Sequence, residues 1–296
     1  MKIICIGQAA YDITLPVNLY PSENSKIKSK MRVECGGGSA ATAAYLLSLW
    51  KEDVYFAGTI GKDEQALKIA SEFSLVKTNL DYLEMQEGID TPTSYIINSI
   101  SNGSRTVITY RNDKLKKKSY TTQKDFDVVY LDGYEKDYAI EVIKKNPQAL
   151  KIIDAGKINE DTLELCHMVD YIICSKDFAE QYTKLEINNE IDAENACMII
   201  KKTFPKEIII TLEDKGSFTL ENGAKLVPSI IVDCKDSTGA GDIFHGAFTY
   251  FITHGNNKLE AMRLSNITAA LSTEKIGTKN SMIDIERVIE VSKNVN

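Results

Sequence analysis

The stretch CKDSTGAGDIFHGAFTYF, residues 234–251, combines two glycines and a carboxylate with an apolar run that is typical of a buried helix. A helix N-terminus binds anions through its unpaired N–H groups and positive dipole end, and glycines allow close approach. An anion cradle is therefore predicted at the start of this helix, formed by Gly239, Ala240 and Gly241. A carboxylate at Asp242 would repel a phosphate there, unless it accepts the proton of a hydroxyl that attacks phosphorus.

The same stretch also fits an ordinary capped helix. Asp236 or Ser237 would then be a simple capping residue, because short polar side chains accept hydrogen bonds from the first N–H groups of a helix. An isolated D-x-T-G pattern favours this second interpretation. The rest of the chain therefore has to decide between them.

Composition narrows the class of protein. A chain of 296 residues is long enough to bury a sizeable core, and one domain over residues 1–296 is expected. The formal net charge of −7 argues against a nucleic-acid partner, which requires a basic face. The six cysteines lack any C-x-x-C spacing and fit free thiols in a reducing cytoplasm. Apolar runs are too short for a signal segment or a membrane helix, so a cytoplasmic protein without a membrane partner is expected.

Short strands rich in β-branched residues alternate with longer helical patterns along most of the chain. The strand-like runs are KIICIG, VYFAGTIG, DVVYLDG, KIIDAG, DYIICS and EIIITL. A hairpin, SFTLENGAKLV, follows them and is predicted to turn at Asn222 and Gly223. Helices are predicted near 39–50, 63–74, 135–146, 190–203, 240–254 and 258–273. This alternation is typical of a three-layer α/β/α domain with a mostly parallel central sheet.

Two inserted segments do not follow that alternation. Residues 12–34 and 90–112 alternate polar and apolar residues like half-exposed antiparallel strands, with SNGS as a tight turn. They are predicted to pair in a small β-sheet that acts as a lid and excludes water from reacting groups. An edge extension used only for subunit contact is the alternative.

One face of this small sheet is predicted to be apolar. The alternating residues that would form it are Ile13, Leu15, Val17, Tyr95, Ile97, Val107 and Thr109. Because a small sheet cannot bury such a face alone, a homodimer through the lid is predicted. A monomer whose lid folds onto its own domain is the alternative.

The string D-S-T-G-A-G-D followed by I-F-H-G resembles the signature of the ribokinase-like (PfkB) carbohydrate kinase family. GGSAATAAYLLSLW, residues 37–50, resembles the family's first signature, a Gly-Gly pair that opens a helix beside the sugar. TSYIINSISNGSRTVITYR resembles the lid strands of the ketohexokinase-like branch, and SNITAALS, residues 265–272, resembles the adenine-side helix. Two glycine-rich signatures in this order are highly specific. Within the family the chain is most similar to the ketohexokinase-like and sulfosugar-kinase-like branch.

The resemblance implies a reaction and a role for each motif residue. It implies transfer of the γ-phosphoryl group of ATP, with Mg²⁺, to a primary hydroxyl of a small carbohydrate, a ketose or a sugar acid. A nucleoside kinase of the same fold and a catalytically silent sugar-binding relative are the alternatives. Asp242 would be the catalytic base beside the cradle. The resemblance further implies a sugar site at Asp12, Gly37, Gly38 and Thr42, a nucleotide site at Thr211, Gly216, Asn266 and Ala270, and a monovalent cation such as K⁺ at Asp236 and Thr238.

Several positions depart from the family pattern. Thr42 stands where most relatives carry Asn, and offers one hydroxyl instead of an amide. Ser175 and Phe178 occupy the two positions of the N-x-x-E motif that is associated with Mg²⁺ and phosphate. Glu213 replaces a glycine of the nucleotide loop, and its negative charge is expected to shift nucleotide affinity. His245 is expected to be a helix residue near the site.

Overall fold

The computed structural model describes residues 1–116 and 124–295. Its strands, numbered in chain order, are β1 Lys2–Ile6, β2 Ala10–Val17, β3 Val33–Gly37, β4 Asp53–Gly61, β5 Asn79–Gln86, β6 Thr93–Ser99, β7 Arg105–Tyr110, β8 Val128–Leu131, β9 Leu150–Ala155, β10 Tyr171–Ser175, β11 Glu207–Thr211, β12 Ser217–Leu220 and β13 Ala224–Val227. Its helices are α1 Ser39–Leu49, α2 Glu64–Leu75, α3 Lys136–Lys145, α4 Glu160–Cys166, α5 Lys176–Thr183, α6 Glu190–Thr203, α7 Ala240–Thr253, α8 Lys258–Ser272 and α9 Ile285–Ser292.

The central sheet has nine strands in the order β13-β12-β11-β10-β9-β8-β1-β4-β5. The strands from β5 to β11 in this order pair in parallel, and the β11, β12 and β13 strands pair antiparallel. The predicted, mostly parallel sheet is therefore confirmed. The hairpin turns at Asn222 and Gly223, both of which have a positive φ, at 53° and 109°. Asn and Gly are favoured in such turns because they tolerate left-handed angles.

Two apolar clusters cover the two faces of this sheet. Side chains alternate along a strand, so Ile3 of β1 belongs to one cluster and Ile4 to the other. The first cluster packs under α1, α2, α7 and α8, and the second under α3, α4, α5 and α6. The three-layer prediction is confirmed. Within residues 1–116 and 124–295, none of the helices has both the length and the apolar character of a membrane span.

The second sheet has four strands in the order β3-β2-β6-β7, and they come from the two inserted segments. The β6 and β7 strands form the expected antiparallel hairpin, with Gly103 at φ 69° in its turn. The β2 and β3 strands of the first segment are also antiparallel, and the two segments pair with each other through β2 and β6, which are parallel. The reason for the parallel pairing is topological, because each strand continues from one of the parallel strands of the central sheet and leaves it in the same direction.

The register of the small sheet also corrects its predicted apolar face. Tyr95 pairs with Ile108, so Val107 and Thr109 point to the opposite side. We call the outer face the side that carries Ile13, Leu15, Tyr95, Ile97, Ile108 and Tyr110. We call the inner face the side on which β2, β6 and β7 carry Ala10, Asp12, Thr14, Pro16, Ser94, Ile96, Asn98, Arg105, Val107 and Thr109.

Candidate active site

Asp132 joins three elements at the carboxyl ends of the parallel strands. Its carboxylate accepts hydrogen bonds from the backbone N–H groups of Gln8 at 2.7 Å, Ala40 at 3.1 Å and Tyr134 at 3.0 Å. Gly7 leaves room for it, since a Cβ there would lie 1.9 Å from Asp132 Oδ1. The ends of β1 and β8 and the start of α1 therefore meet at one edge, where open α/β sheets bind their ligands.

The N-terminus of α7 lies at this edge of the fold. Gly239 precedes the helix in a left-handed conformation, with φ 77°. The N–H of Ala240 donates to the carbonyl of Ser237 at 3.3 Å. The next two N–H groups, of Gly241 and Asp242, have no acceptor within the helix. Since a Cβ on Gly241 would meet no atom within 4 Å, open space lies in front of the predicted cradle.

Asp242 stands in the first turn of α7 and is partly buried. Desolvation by burial is the main cause that raises its pKa to about 6. Interactions with His245, Ser39 and Arg105 act in the opposite direction and limit this rise of the pKa. The carboxylate is therefore mostly ionised at neutral pH, and it is a stronger base than an exposed aspartate.

The residues predicted to bind the sugar lie beside one another. Asp12 is buried, and a Cβ on Gly37 would lie 2.0 Å from its Oδ2 atom. Burial raises the pKa of Asp12 to about 7, and the charge of Asp242 contributes to the rise. Gly38 has φ 93° directly before α1. The Thr42 hydroxyl is buried and has no hydrogen-bond partner among the residues that the structure describes.

The inner face of the small sheet contacts the loop that precedes α7. Asn98 donates to the carbonyl of Lys235 at 3.1 Å, and Arg105 donates to Ser237 Oγ at 2.7 Å. The N–H of Ser237 in turn donates to the carbonyl of Gly103 at 3.2 Å. The small sheet therefore lies directly over the N-terminal end of α7.

Asp236 and Thr238 lie in the same loop. Asp236 is buried, and its carboxylate accepts hydrogen bonds from the N–H groups of Thr238 at 3.0 Å and Gly277 at 2.9 Å. The Thr238 hydroxyl is buried and has no hydrogen-bond partner within the described ranges. A carboxylate and a hydroxyl are oxygen ligands of the kind that hard cations prefer.

The positions of the altered N-x-x-E motif serve the protein's own structure. Ser175 caps α5, since its hydroxyl accepts a hydrogen bond from the N–H of Phe178 at 3.1 Å. Phe178 is buried in the core. No group of three or more His, Cys, Asp or Glu side chains in the described part of the chain is arranged to hold a metal ion. Neither position therefore offers Mg²⁺ the amide or carboxylate oxygen of the N-x-x-E motif.

The predicted nucleotide loop departs from its pattern in a physically visible way. Glu213 has φ 55°, a left-handed conformation that a glycine would adopt without strain. Gly216 has φ 104°, and a Cβ there would approach the carbonyl oxygen of Val227 to 2.2 Å. Both positions therefore have the positive φ that is typical of glycine, although Glu213 carries a negative charge. Thr211 ends β11, directly before this loop.

Asn266 and Ala270 lie one turn apart on α8. The amide nitrogen of Asn266 donates to Ser217 Oγ at 3.1 Å and to the carbonyl of Val227 at 2.8 Å. It therefore holds the hairpin of β12 and β13 against α8, a structural task that the sequence pattern did not indicate. The predicted nucleotide residues on α8 consequently adjoin the loop that ends at Gly216.

Lys279 is a cation near the site that the sequence pattern did not indicate. Its ammonium lies 4.5 Å from the centroid of the Tyr45 ring and 3.4 Å from the carbonyl oxygen of Ala41. Desolvation lowers its pKa, and its charge in turn lowers the pKa of Asp12. No motif marks this residue, because it reaches the site from a loop near the end of the chain.

Asp132 and Asp154 were not among the site residues predicted from the sequence, although the sequence pattern indicates both. Each is an acidic residue at the carboxyl end of a buried strand, in YLD and IID. Parallel strands bring such ends to one edge, so both carboxylates could have been placed there.

The fold and this site define a class: an α/β phosphotransferase with a β-sheet cover over a helix N-terminus. Residues 1–285 match the pfkB family carbohydrate kinase, and the chain belongs to this family. The family resemblance found in the sequence is thereby confirmed. Members of this family are ATP-dependent phosphotransferases that use Mg²⁺, and this chain is a carbohydrate or nucleoside kinase of that kind.

Individual relatives are distant and extend over most of the chain. A ribokinase of Staphylococcus aureus (strain COL) is 23% identical over 304 residues, which covers 98% of this chain and 99% of the relative. A ketohexokinase of Mus musculus is 23% identical over 287 residues, with 88% and 92% covered. The crystal structure of a putative ribokinase from Agrobacterium tumefaciens superposes with a TM-score of 0.90 at 22% identity, over 99% of this chain and 97% of that one. At this identity the structural likeness shows the fold.

Proposed function

We propose that this kinase phosphorylates a primary hydroxyl of a small carbohydrate, a ketose or a sugar acid. The observation that carries the proposal is the position of Asp242, whose carboxylate adjoins the free N–H groups of the α7 N-terminus and interacts electrostatically with Asp12. A base and an anion site side by side are what phosphoryl transfer to a hydroxyl requires.

The proposed mechanism assigns one task to each part of the site. Asp12 and the close backbone at Gly37 and Gly38 bind sugar hydroxyls, and the unpartnered Thr42 hydroxyl offers a further contact. Asp242 takes the proton of the attacking hydroxyl. The free N–H groups at the start of α7 stabilise the negative charge of the transferring phosphoryl group, and the small sheet excludes water. When bound, Mg²⁺ neutralises charge on the ATP phosphates.

The inner face of the small sheet favours a small polyol over a nucleoside. Six of the ten residues that β2, β6 and β7 place on it are polar or charged, and the other four are Ala10, Pro16, Ile96 and Val107. A nucleoside base needs apolar or aromatic walls, whereas hydroxyl groups need donors and acceptors. Arg105 adds a positive charge, which would favour an acidic substituent. The mouse ketohexokinase and the Staphylococcus aureus ribokinase are equally identical to this chain, at 23%, so D-ribose belongs in the same test as D-fructose.

A substrate panel tests this proposal. ADP release would be measured with D-fructose, D-ribose, D-gluconate, adenosine and inosine, each with Mg²⁺ and ATP. A kcat/KM for fructose or gluconate at least ~10-fold above that for either nucleoside is expected, a difference of about 1.4 kcal/mol in transition-state binding. Preference for a nucleoside would establish the rival kinase activity. Sugar binding by calorimetry without any ADP release would identify a catalytically silent sugar-binding protein.

We also propose a monovalent cation site at Asp236 and Thr238. Support comes from the buried Thr238 hydroxyl without a partner and from the adjacent buried carboxylate. A cation there would fix the loop that precedes α7. Turnover is expected to be several-fold faster in K⁺ or Na⁺ than in tetramethylammonium at equal ionic strength. Equal rates in all three salts would contradict the site.

The outer face supports the prediction of a homodimer through the lid. Tyr95, Ile108 and Tyr110 expose 50%, 62% and 50% of their surface on a sheet of only four strands. A contiguous apolar patch of this kind is typical of an association surface. Because a two-fold interface brings identical patches together, the same face on a second copy can cover it.

Ile108→Glu is expected to convert the dimer into a monomer, because two carboxylates would be buried in the shared interface. Sedimentation velocity at micromolar concentration measures the change. Ile191→Glu is the matched control, since Ile191 is 70% exposed on α6, far from the small sheet in the chain. The proposal fails if the unmodified protein sediments as a monomer, or if both variants dissociate equally. We also expect the lid to close when sugar binds, which would slow amide hydrogen exchange in its strands. Unchanged exchange on binding of a sugar that the enzyme phosphorylates would contradict this closure.

A further inference from the structure

His245 lies one helical turn after Asp242 on α7 and is buried. Its Nδ1 atom is 2.5 Å from the carbonyl oxygen of Gly241. Its Nε2 atom faces two other oxygens, the Asp154 Oδ1 at 3.4 Å and the carbonyl oxygen of Ile173 at 3.3 Å. Both ring nitrogens therefore face oxygen atoms.

The chemistry of these partners restricts where hydrogen atoms can be. A carbonyl oxygen only accepts, so Nδ1 must carry a hydrogen and donate it to Gly241. In a neutral ring, Nε2 then has a lone pair, which would face the lone pairs of an ionised Asp154. A second proton must lie between His245 and Asp154, either on the ring or on the carboxyl group.

Burial favours the carboxyl group as the place of this proton. Burial and the charge of Asp132 raise the pKa of Asp154 to about 8, whereas burial lowers the pKa of His245. A neutral pair also avoids two desolvated charges in the interior. The titratable groups that interact with this pair are Tyr130 and Asp132 from the β8 side, Cys174 of β10 and Asp242 of α7.

We propose that a protonated Asp154 and a neutral His245 form a positioning pair that holds the Gly241 carbonyl and thereby the peptide between Gly241 and Asp242. This inference rests on the proposed function. That peptide carries the N–H of Asp242, one of the two free donors of the cradle, and the backbone of the proposed base. Neither member of the pair touches the substrate.

A defined pH response follows from this arrangement. As the pH rises through the pKa of Asp154, a hydrogen on Nε2 satisfies both its carboxylate and the neighbouring carbonyl of Ile173. The ring then moves its hydrogen from Nδ1 to Nε2 and gives up the bond to Gly241. Turnover should therefore fall as the pH rises above about 8.

Asp154→Asn provides the matched variant. Its amide can still donate a hydrogen bond to Nε2, but it does not titrate. We expect this variant to keep kcat within about threefold of the unmodified enzyme at pH 7 and to lose the alkaline fall. Asp154→Ala removes the donor and should lower kcat about tenfold, with little change in the KM for sugar. An alkaline fall that persists unchanged in Asp154→Asn overturns the proposal.

A second measurement does not depend on turnover and separates this inference from the proposed function. The chain has three histidines, so ¹⁵N signals of the ring can be assigned to His245 by comparison with His245→Asn. At pH 7 we expect a hydrogen on Nδ1 and none on Nε2, with a switch of tautomer between pH 7 and 9.5. A doubly protonated ring at pH 7, or one tautomer throughout, overturns the pair. A protein that turns over none of the panel substrates but shows the switch would refute only the proposed function.

Discussion

Asp242→Asn is expected to lower kcat by about 10²- to 10⁴-fold, the range over which a general base contributes, while sugar affinity changes little. The amide keeps the shape of the carboxylate and one of its two acceptor oxygens, but it cannot act as a base at neutral pH. Steady-state kinetics with a sugar from the panel, together with calorimetric sugar binding, measure the two effects. A variant that retains more than about a tenth of the unmodified kcat, a loss below ~1.4 kcal/mol, would show that Asp242 is not the base.

The pH profile of the unmodified enzyme provides a second test of this assignment. Because the Asp242 pKa is raised to about 6, its ionised form is lost as the pH falls below that value, and kcat/KM should fall with it. The matched control is Asp233→Asn, since the Asp233 side chain is 85% exposed in the preceding segment. We expect this control to keep both kcat and the acid limb of the profile.

Gly241→Val is expected to remove at least about 99% of kcat, since its side chain keeps the developing oxyanion away from the N–H donors, and loss of one such contact costs ~10²- to 10³-fold. Gly241 lies within α7, and its Cβ would point into open space. The Cβ of a valine therefore meets no atom of the folded protein, and the side chain occupies the space that a phosphoryl group needs. Kinetics and thermal unfolding should show lost turnover at a nearly unchanged Tm.

Gly239→Ala is the contrasting control for this prediction. Gly239 has φ 77°, and a Cβ there would lie 2.5 Å from the Thr278 side chain, so this variant should be destabilised by about 1–2 kcal/mol. Gly241→Val therefore measures the effect of filling the anion site, whereas Gly239→Ala measures the effect of a strained backbone. Full ATP-dependent turnover in a folded Gly241→Val protein would contradict the cradle at the α7 N-terminus.

The sequence was sufficient for the class of fold because hydrophobic periodicity is a local signal. Runs such as KIICIG and EIIITL are buried on both faces, and only a parallel sheet between helices offers that environment. Helix ends followed from caps, as at Asp63, whose side chain accepts a hydrogen bond from the N–H of Ala66. The glycine signatures likewise placed Gly239 and Asp242 at the start of a helix without any knowledge of tertiary contacts.

Tertiary structure alone decided the features that depend on pairing between distant segments. The parallel registry of β2 and β6, and with it the division of Val107 and Ile108 between two faces, depends on how both strands leave the central sheet. A shift by one residue exchanges the faces of a strand, and the local sequence does not forbid it. The approach of Asp154 to His245, 91 positions later in the chain, and that of Lys279 to Asp12 have the same origin. Their charges matter because the folded chain removes water around them, a property that no single segment possesses.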